Sequence, residues 1–233
     1  MIPLSDDPAP RPSFPLVTLT LIAVNIVVFL YELTEGSAVD ALFRSAGVTP
    51  LEFAIRTDVP PPAPLGIFYL TLLTSMFLHG GFLHIGSNML FLWIFGDNVE
   101  DRLGHARYLL FYLVCGIGAS IAHIYFNWGS TVPSVGASGA IAGVLAGYML
   151  LYPSATIRTL LFIGPFITMT RVPAIIMIGF WFVTQLVSGL AAVGASAQTS
   201  GVAFWAHVGG FVVGLPLVLL LRGRERPYAV TAP

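Results

Sequence analysis

Apolar residues run in long blocks along this chain, and most polar residues fall between them. Six blocks stand out, at 16–33, 81–96, 106–126, 136–152, 172–194 and 202–221. None alternates in polarity as a barrel strand would, and backbone groups in lipid must be satisfied within their own segment. Each block therefore predicts a membrane-spanning helix. An apolar lead-in from Ile67 to Leu78 precedes the second block, and Gly80-Gly81 predicts a break between the two. The implied fold class is an all-α membrane protein, a bundle of six transmembrane helices over residues 16–221. Residues 1–15 read as a short disordered tail and residues 222–233 as a second tail. The first block reads as a retained helix. Asp6, Asp7 and several prolines precede it, Arg11 is the one basic residue there, and no small-residue cleavage site follows.

Composition sharpens this picture. Of 233 residues, 56% are hydrophobic and 9% charged, against about a quarter charged in a soluble domain. No charged residue occurs between Arg107 and Arg158, or between Arg171 and Arg222. Each gap accommodates two helices of about 20 residues with a loop. The net charge of -1 argues against nucleic acid as a partner. Cys115, the only cysteine, can form neither an internal disulfide nor a metal cluster and reads as a small buried hydrophobe.

Arginine sets the orientation. Arg11, Arg102, Arg107, Arg158, Arg171, Arg222, Arg224 and Arg226 fall on one side, and Arg44 and Arg56 on the other. The positive-inside rule then predicts both termini in the cytoplasm, and the chain is expected in the cell (inner) membrane. Residues 34–66 face outward and are long enough to hold ordered or interfacial structure. Trp128 and Trp205 fall near the outer boundary and Trp93 near the inner one, as aromatic anchors do. The stretch Thr159–Thr170 is too short to span and reads as an interfacial segment. Asp97, Glu100, Asp101 and Arg102 read as a cytoplasmic turn network, and His105 as a solvated loop residue.

The candidate chemistry lies in polar residues inside the apolar blocks, which are functional candidates by default. Ser138 opens the fourth helix and His207 lies early in the sixth, while His84 and Asn88 lie early in the second. All enter from the outer side, so at 1.5 Å per residue they share one layer roughly 3–11 Å deep. His84 and Asn88 are four apart and share a helix face. Gly139, Gly143 and Gly147 on the fourth helix, and Gly210 and Gly214 on the sixth, offer smooth ridges that let helices approach. A serine hydroxyl becomes a nucleophile when a neutral histidine takes its proton. The oxyanion that follows needs fixed donors, which Asn88, His84 and the Ser138 backbone N–H can offer. The second, fourth and sixth blocks hold no Asp or Glu, so a Ser-His dyad is expected rather than a triad.

These segments resemble the rhomboid family of intramembrane serine proteases. The carrying motifs are His79-Gly-Gly-Phe-Leu-His84-Ile-Gly-Ser-Asn88, Gly136-Ala-Ser-Gly-Ala-Ile-Ala-Gly143, and Ala206-His207-Val-Gly-Gly210 with Gly214. The turn Gly96-Asp-Asn-Val-Glu100 and Gly104 is also similar. The resemblance implies Ser138 as nucleophile, His207 as general base, and Asn88 and His84 as oxyanion donors. It also implies cleavage of single-pass membrane-protein substrates in the lipid bilayer, with no metal or cofactor. Two features depart from patterns seen in some members. Ala142 stands where an aromatic residue can stack on the histidine, and residues 34–66 lack the Trp-Arg pair of the first outer loop. Two rivals stand beside this reading: a non-catalytic rhomboid-like membrane chaperone or adaptor, and a transporter relaying protons through His84, His123 and His207. The sequence assigns no oligomeric state and no individual substrate.

Overall fold

The computed structural model describes residues 1–7, 13–164, 166–192 and 203–223. Arg11, Arg224 and Arg226, on which the orientation argument partly rests, lie outside these residues. So do most of the 222–233 tail and the loop before the last helix.

The helices follow the apolar blocks closely. They are α1 (Leu16–Glu35), α2 (Val39–Ala46), α3 (Pro50–Ile55), α4 (Thr71–Thr74, within a helical run Phe68–Phe77) and α5 (Phe82–Phe91). A π-helical turn, Leu92–Gly96, joins α5 to α6 (Asp97–Leu103). Then come α7 (His105–Phe126), α8 (Ser138–Leu151), α9 (Ala174–Ala192) and α10 (Phe204–Leu221). Among the described residues, four stretches are long and apolar enough to cross a membrane: Leu16–Ala46, His105–Phe126, Ala174–Ala192 and Phe204–Leu221. The pair Phe68–Phe77 and Phe82–Leu103, bent by 80° at the expected glycine break, makes a fifth if taken as one span. Helix α8 is apolar throughout but has only 14 residues, about 21 Å of helix against a hydrocarbon core of about 30 Å. It sits between α7 and α10, with Gly139 through Tyr148 all buried. A helix enclosed by other helices needs no polar face, which is why its sequence shows none.

Two expectations are corrected, and the Thr159–Thr170 segment acquires a definite structure. The fold is mostly helical but not all-α, because it carries a three-stranded antiparallel sheet ordered β1 (Ile2–Asp6), β2 (Thr156–Ile163), β3 (Phe166–Pro173). The N-terminal residues are thus a strand, not a disordered tail: Ile2 pairs with Leu160 and Asp6 with Ile157. Asp6 is buried and accepts hydrogen bonds from Asn98 Nδ2 at 2.6 Å and Tyr148 O–H at 2.8 Å. The segment Thr159–Thr170 forms most of the β2–β3 hairpin. Its inward residues Ile157 and Thr159 are buried, while Phe162, Phe166, Ile167 and Met169 are exposed. The β1–β2 pairings join residues more than 150 positions apart, so no local pattern announces them.

The end of the bundle carrying α6 is held by the acidic turn. Proline at position 15 and apolar residues after it leave α1 without a capping side chain of its own. Glu100 supplies one from α6, accepting Val17 N–H at 2.8 Å, Thr18 N–H at 2.7 Å and Thr18 O–H at 2.6 Å. Its carboxylate also meets His105 Nδ1 at 2.5 Å, so His105 is a half-exposed partner of a buried acid rather than a solvated loop residue. Ser13 likewise bonds Asp101 through its backbone and hydroxyl. Glu100→Ala strands these donors in a buried site, a cost of roughly 3–5 kcal/mol. The thermal midpoint of the detergent-solubilised protein is expected to fall by roughly 10 °C. A shift of under about a degree by circular dichroism would contradict this capping role.

Residues 34–66 are anchored without a Trp-Arg pair. Val48 and Ser134 exchange backbone hydrogen bonds of 3.0 and 2.8 Å, and Leu51 N–H donates to Ser130 at 2.9 Å. Glu52 is buried beside them, accepts Val59 N–H at 3.2 Å, and has its carboxyl pushed up by that burial. Trp205 is buried and stacks on Phe126 with ring centroids 3.7 Å apart, so it packs between helices rather than anchoring at a surface. Trp93 and Trp128 are exposed, as interfacial residues would be.

Candidate active site

Three close approaches build the site. On α8, Gly139 and Gly143 face Gly210 and Gly214 of α10 so closely that a Cβ at Gly210 would collide with the Gly139 carbonyl oxygen. One at Gly214 would sit 2.7 Å from Gly143 Cα. Only paired glycines allow backbones this near. Ser138, the first residue of α8, and His207, in the first turn of α10, flank this crossing. Cys115 of α7 is buried against Gly143, as its packing reading anticipates.

The segment before Ser138 is fixed from two sides. Its partner in residues 34–66 is Val48, described above, and Gly136 N–H donates to the Ser75 carbonyl at 2.8 Å. Gly136 adopts φ of 132°, and a Cβ there would lie 2.7 Å from His84 Nε2. Glycine therefore serves both the turn and the approach of the His84 ring.

The two sequence-predicted residues that matter most meet directly. His207 Nε2 lies 2.8 Å from Ser138 Oγ. His207 is buried, 9% exposed, and Ser138 is half-buried. His84 lies beside the same turn, against Gly136. Its Nδ1 accepts Gly80 N–H at 3.3 Å, so in the neutral ring the proton resides on Nε2, the nitrogen facing the serine turn. Asn88 lies one turn further along α5, buried, with no hydrogen-bond partner for its Nδ2 among the described residues. An unspent buried donor is costly unless something else uses it. His79 packs edge-on to His84 with ring centroids 5.1 Å apart, and its backbone N–H donates to Glu32 at 2.9 Å. His123 instead pairs with Asn127 at the end of its own helix.

The rhomboid domain family matches residues 68–224, two thirds of the chain and all three polar motifs. The chain belongs to the rhomboid family. It is 34% identical over 201 residues to Rhomboid protease GluP of Bacillus subtilis, covering 86% of this chain and 34% of that protein. It is 31% identical over 150 residues to Rhomboid protein 1, mitochondrial, of Saccharomyces cerevisiae, covering 63% of this chain and 40% of that protein. It is 26% identical over 214 residues to Rhomboid protease AarA of Providencia stuartii, covering 85% and 69%. The chain thus spans well under half the length of the first two relatives.

Sequence reasoning missed the support behind this rhomboid histidine. Gln185 of α9 brings Oε1 to 2.8 Å from His207 Nδ1, and Trp181, one turn earlier, sets its ring 5.6 Å from the imidazole centroid at 39°. The missing aromatic at Ala142 is thereby offset from another helix. A usable signal existed: Gln185 is the only side-chain amide in the apolar run of α9, and Trp181 precedes it by four.

Proposed function

We propose that this rhomboid protein is an intramembrane serine endopeptidase, cleaving single-pass membrane-protein substrates in or near their membrane segment. The observation that carries the reading is the 2.8 Å contact between Ser138 Oγ and His207 Nε2, at the head of a short apolar helix enclosed by α7 and α10. Two relatives are named rhomboid proteases, which supports the same reading.

The chemistry follows from the atoms. The Ser138 hydroxyl donates to His207 Nε2, which takes the proton as Oγ attacks the scissile carbonyl carbon. Negative charge then develops on the carbonyl oxygen. His84 Nε2–H, Asn88 Nδ2–H and the N–H groups at the start of α8 are the donors within this layer that can receive it. His207 returns the proton to the departing amine and leaves an acyl-enzyme. Water, activated by the same imidazole, releases the second product and restores Ser138.

The proposed topology has six transmembrane helices, α1, α5–α6, α7, α8, α9 and α10, within a domain spanning 16–221. The segments 1–15 and 222–233 lie in the cytoplasm, and arginine placement supports this orientation in the cell membrane. The shallow shared depth that the sequence predicts for the polar residues supports a reaction near the outer leaflet. A membrane chaperone or adaptor would have no use for a serine hydroxyl bonded to a neutral imidazole. A proton relay would need polar groups spread across the bilayer rather than gathered in one layer.

A fluorophosphonate probe reads the nucleophile directly. The purified protein is expected to be labelled once, at Ser138, with labelling abolished in Ser138→Ala. Equal labelling of the two proteins, or none in either, would overturn the assignment.

A further inference from the structure

We propose that Gln185 is a positioning residue of the site, holding His207 in the tautomer and orientation that general-base catalysis requires. This rests on the Ser138–His207 reading above and adds a third member to it, from a helix that carries none of the motif residues.

The amide orientation is fixed by its neighbours. Gln185 Nε2 can donate only where an acceptor stands, and it faces the Trp181 carbonyl at 3.5 Å and the Thr184 hydroxyl oxygen at 3.3 Å. The Thr184 hydroxyl itself donates to the Trp181 carbonyl at 2.6 Å, which leaves its lone pairs free to accept. Oε1 is then the atom turned toward His207, and an amide oxygen is an acceptor only. His207 Nδ1, 2.8 Å away, must carry the hydrogen for that contact to be a bond. A neutral imidazole protonated on Nδ1 presents a lone pair on Nε2, the atom 2.8 Å from Ser138 Oγ. The opposite tautomer would aim two hydrogens at one another across the Ser138–His207 contact, or leave the serine as acceptor and unable to be activated. Gln185 thus selects the one protonation pattern in which serine can be deprotonated. Trp181 closes one side of the ring, so rotation about the histidine side chain is opposed sterically as well.

A neutral amide differs from a carboxylate in this position. It orients the ring but adds no charge to stabilise the imidazolium. This accounts for an acceptor at Nδ1 in a chain whose second, fourth and sixth apolar blocks hold no acid.

The test compares Gln185→Leu, Gln185→Glu and the parental protein in nanodiscs, with Ser138→Ala as reference. A fluorogenic peptide bearing an apolar segment is the substrate. Gln185→Leu is expected to lower kcat by about 10–100-fold with KM within twofold, and Gln185→Glu, which keeps an acceptor in place, to recover at least half the lost activity on a logarithmic scale. Nitrogen-15 spectra of labelled histidine, with His207 assigned by difference against His207→Gln, are expected to show Nδ1 protonated in the parental protein. In Gln185→Leu this preference is lost. Unchanged kcat in Gln185→Leu, or an unchanged His207 tautomer, overturns the role of Gln185 while Ser138→Ala remains inactive. If Ser138→Ala cleaves at the parental rate, it is the underlying dyad reading that fails instead.

Discussion

His207→Ala should reduce cleavage of a membrane-embedded substrate by about four orders of magnitude or more, the scale seen when a serine hydrolase loses its base. Among the described residues, Ser138 Oγ has one basic partner at bonding distance, His207 Nε2 at 2.8 Å. His84 is oriented as a donor by Gly80, and His123 is engaged with Asn127. The loss should fall on kcat, because the imidazole acts on the reacting atoms rather than on the distant parts of the substrate. Ser138→Ala should cost a similar amount, and the double variant little more than either alone, because in the proposed dyad nucleophile and base act as one unit. Single-turnover cleavage in proteoliposomes measures all three. A His207→Ala rate within tenfold of the parental protein would exclude the dyad. Additive losses in the double variant would show that the two residues act in separate steps.

Different parts of this molecule were legible in the sequence to different degrees, for physical reasons. The long helices could be read because the bilayer imposes one rule, apolar residues over a fixed length, and Leu16–Ala46, His105–Phe126, Ala174–Ala192 and Phe204–Leu221 obey it locally. The 14-residue α8 is legible only by its apolarity. The meeting of Ser138 and His207 could be read because depth is countable from a helix start and small residues mark where helices touch. Strand β1 could not, since Ile2–Asp6 gains its partners from residues more than 150 positions away. Nor could the capping of α1 by Glu100, for the donors it satisfies belong to backbone and carry no side-chain signature. Gln185 carries no charge, so a triad pattern built on Asp or Glu does not reveal it. In lipid, a neutral amide does the orienting work without the cost of burying a carboxylate. The Ala142 departure points the same way. When α8 gives up an aromatic ring to pack tightly, the support for His207 has to come from α9.

That tight packing is also the most fragile feature. Gly210→Ala is expected to inactivate the protein and destabilise it, although it adds a single methyl group. The new Cβ would overlap the Gly139 carbonyl oxygen and lie 2.8 Å from the Gly139 carbonyl carbon. Both are backbone atoms inside a helix, so no side-chain rotation relieves the clash and the helices must part. Overpacking of this kind costs about 1–3 kcal/mol, sometimes more. The catalytic loss should be larger than the loss of stability suggests. Gly139 directly follows Ser138, and Gly210 lies three residues after His207, so separating the glycines pulls the hydroxyl from the imidazole. A displacement of about 1 Å at a reacting pair can cost about 100-fold in rate. Gly179→Ala is the matched control. It adds the same methyl to a helix of similar polarity, but the new Cβ meets no atom within 4 Å beyond its own stretch of helix backbone. Cleavage rate and thermal midpoint, measured for both variants in the same nanodiscs, separate the two cases. Gly179→Ala should match the parental protein in both. If Gly210→Ala does so too, the close crossing of α8 and α10 is not what joins Ser138 to His207.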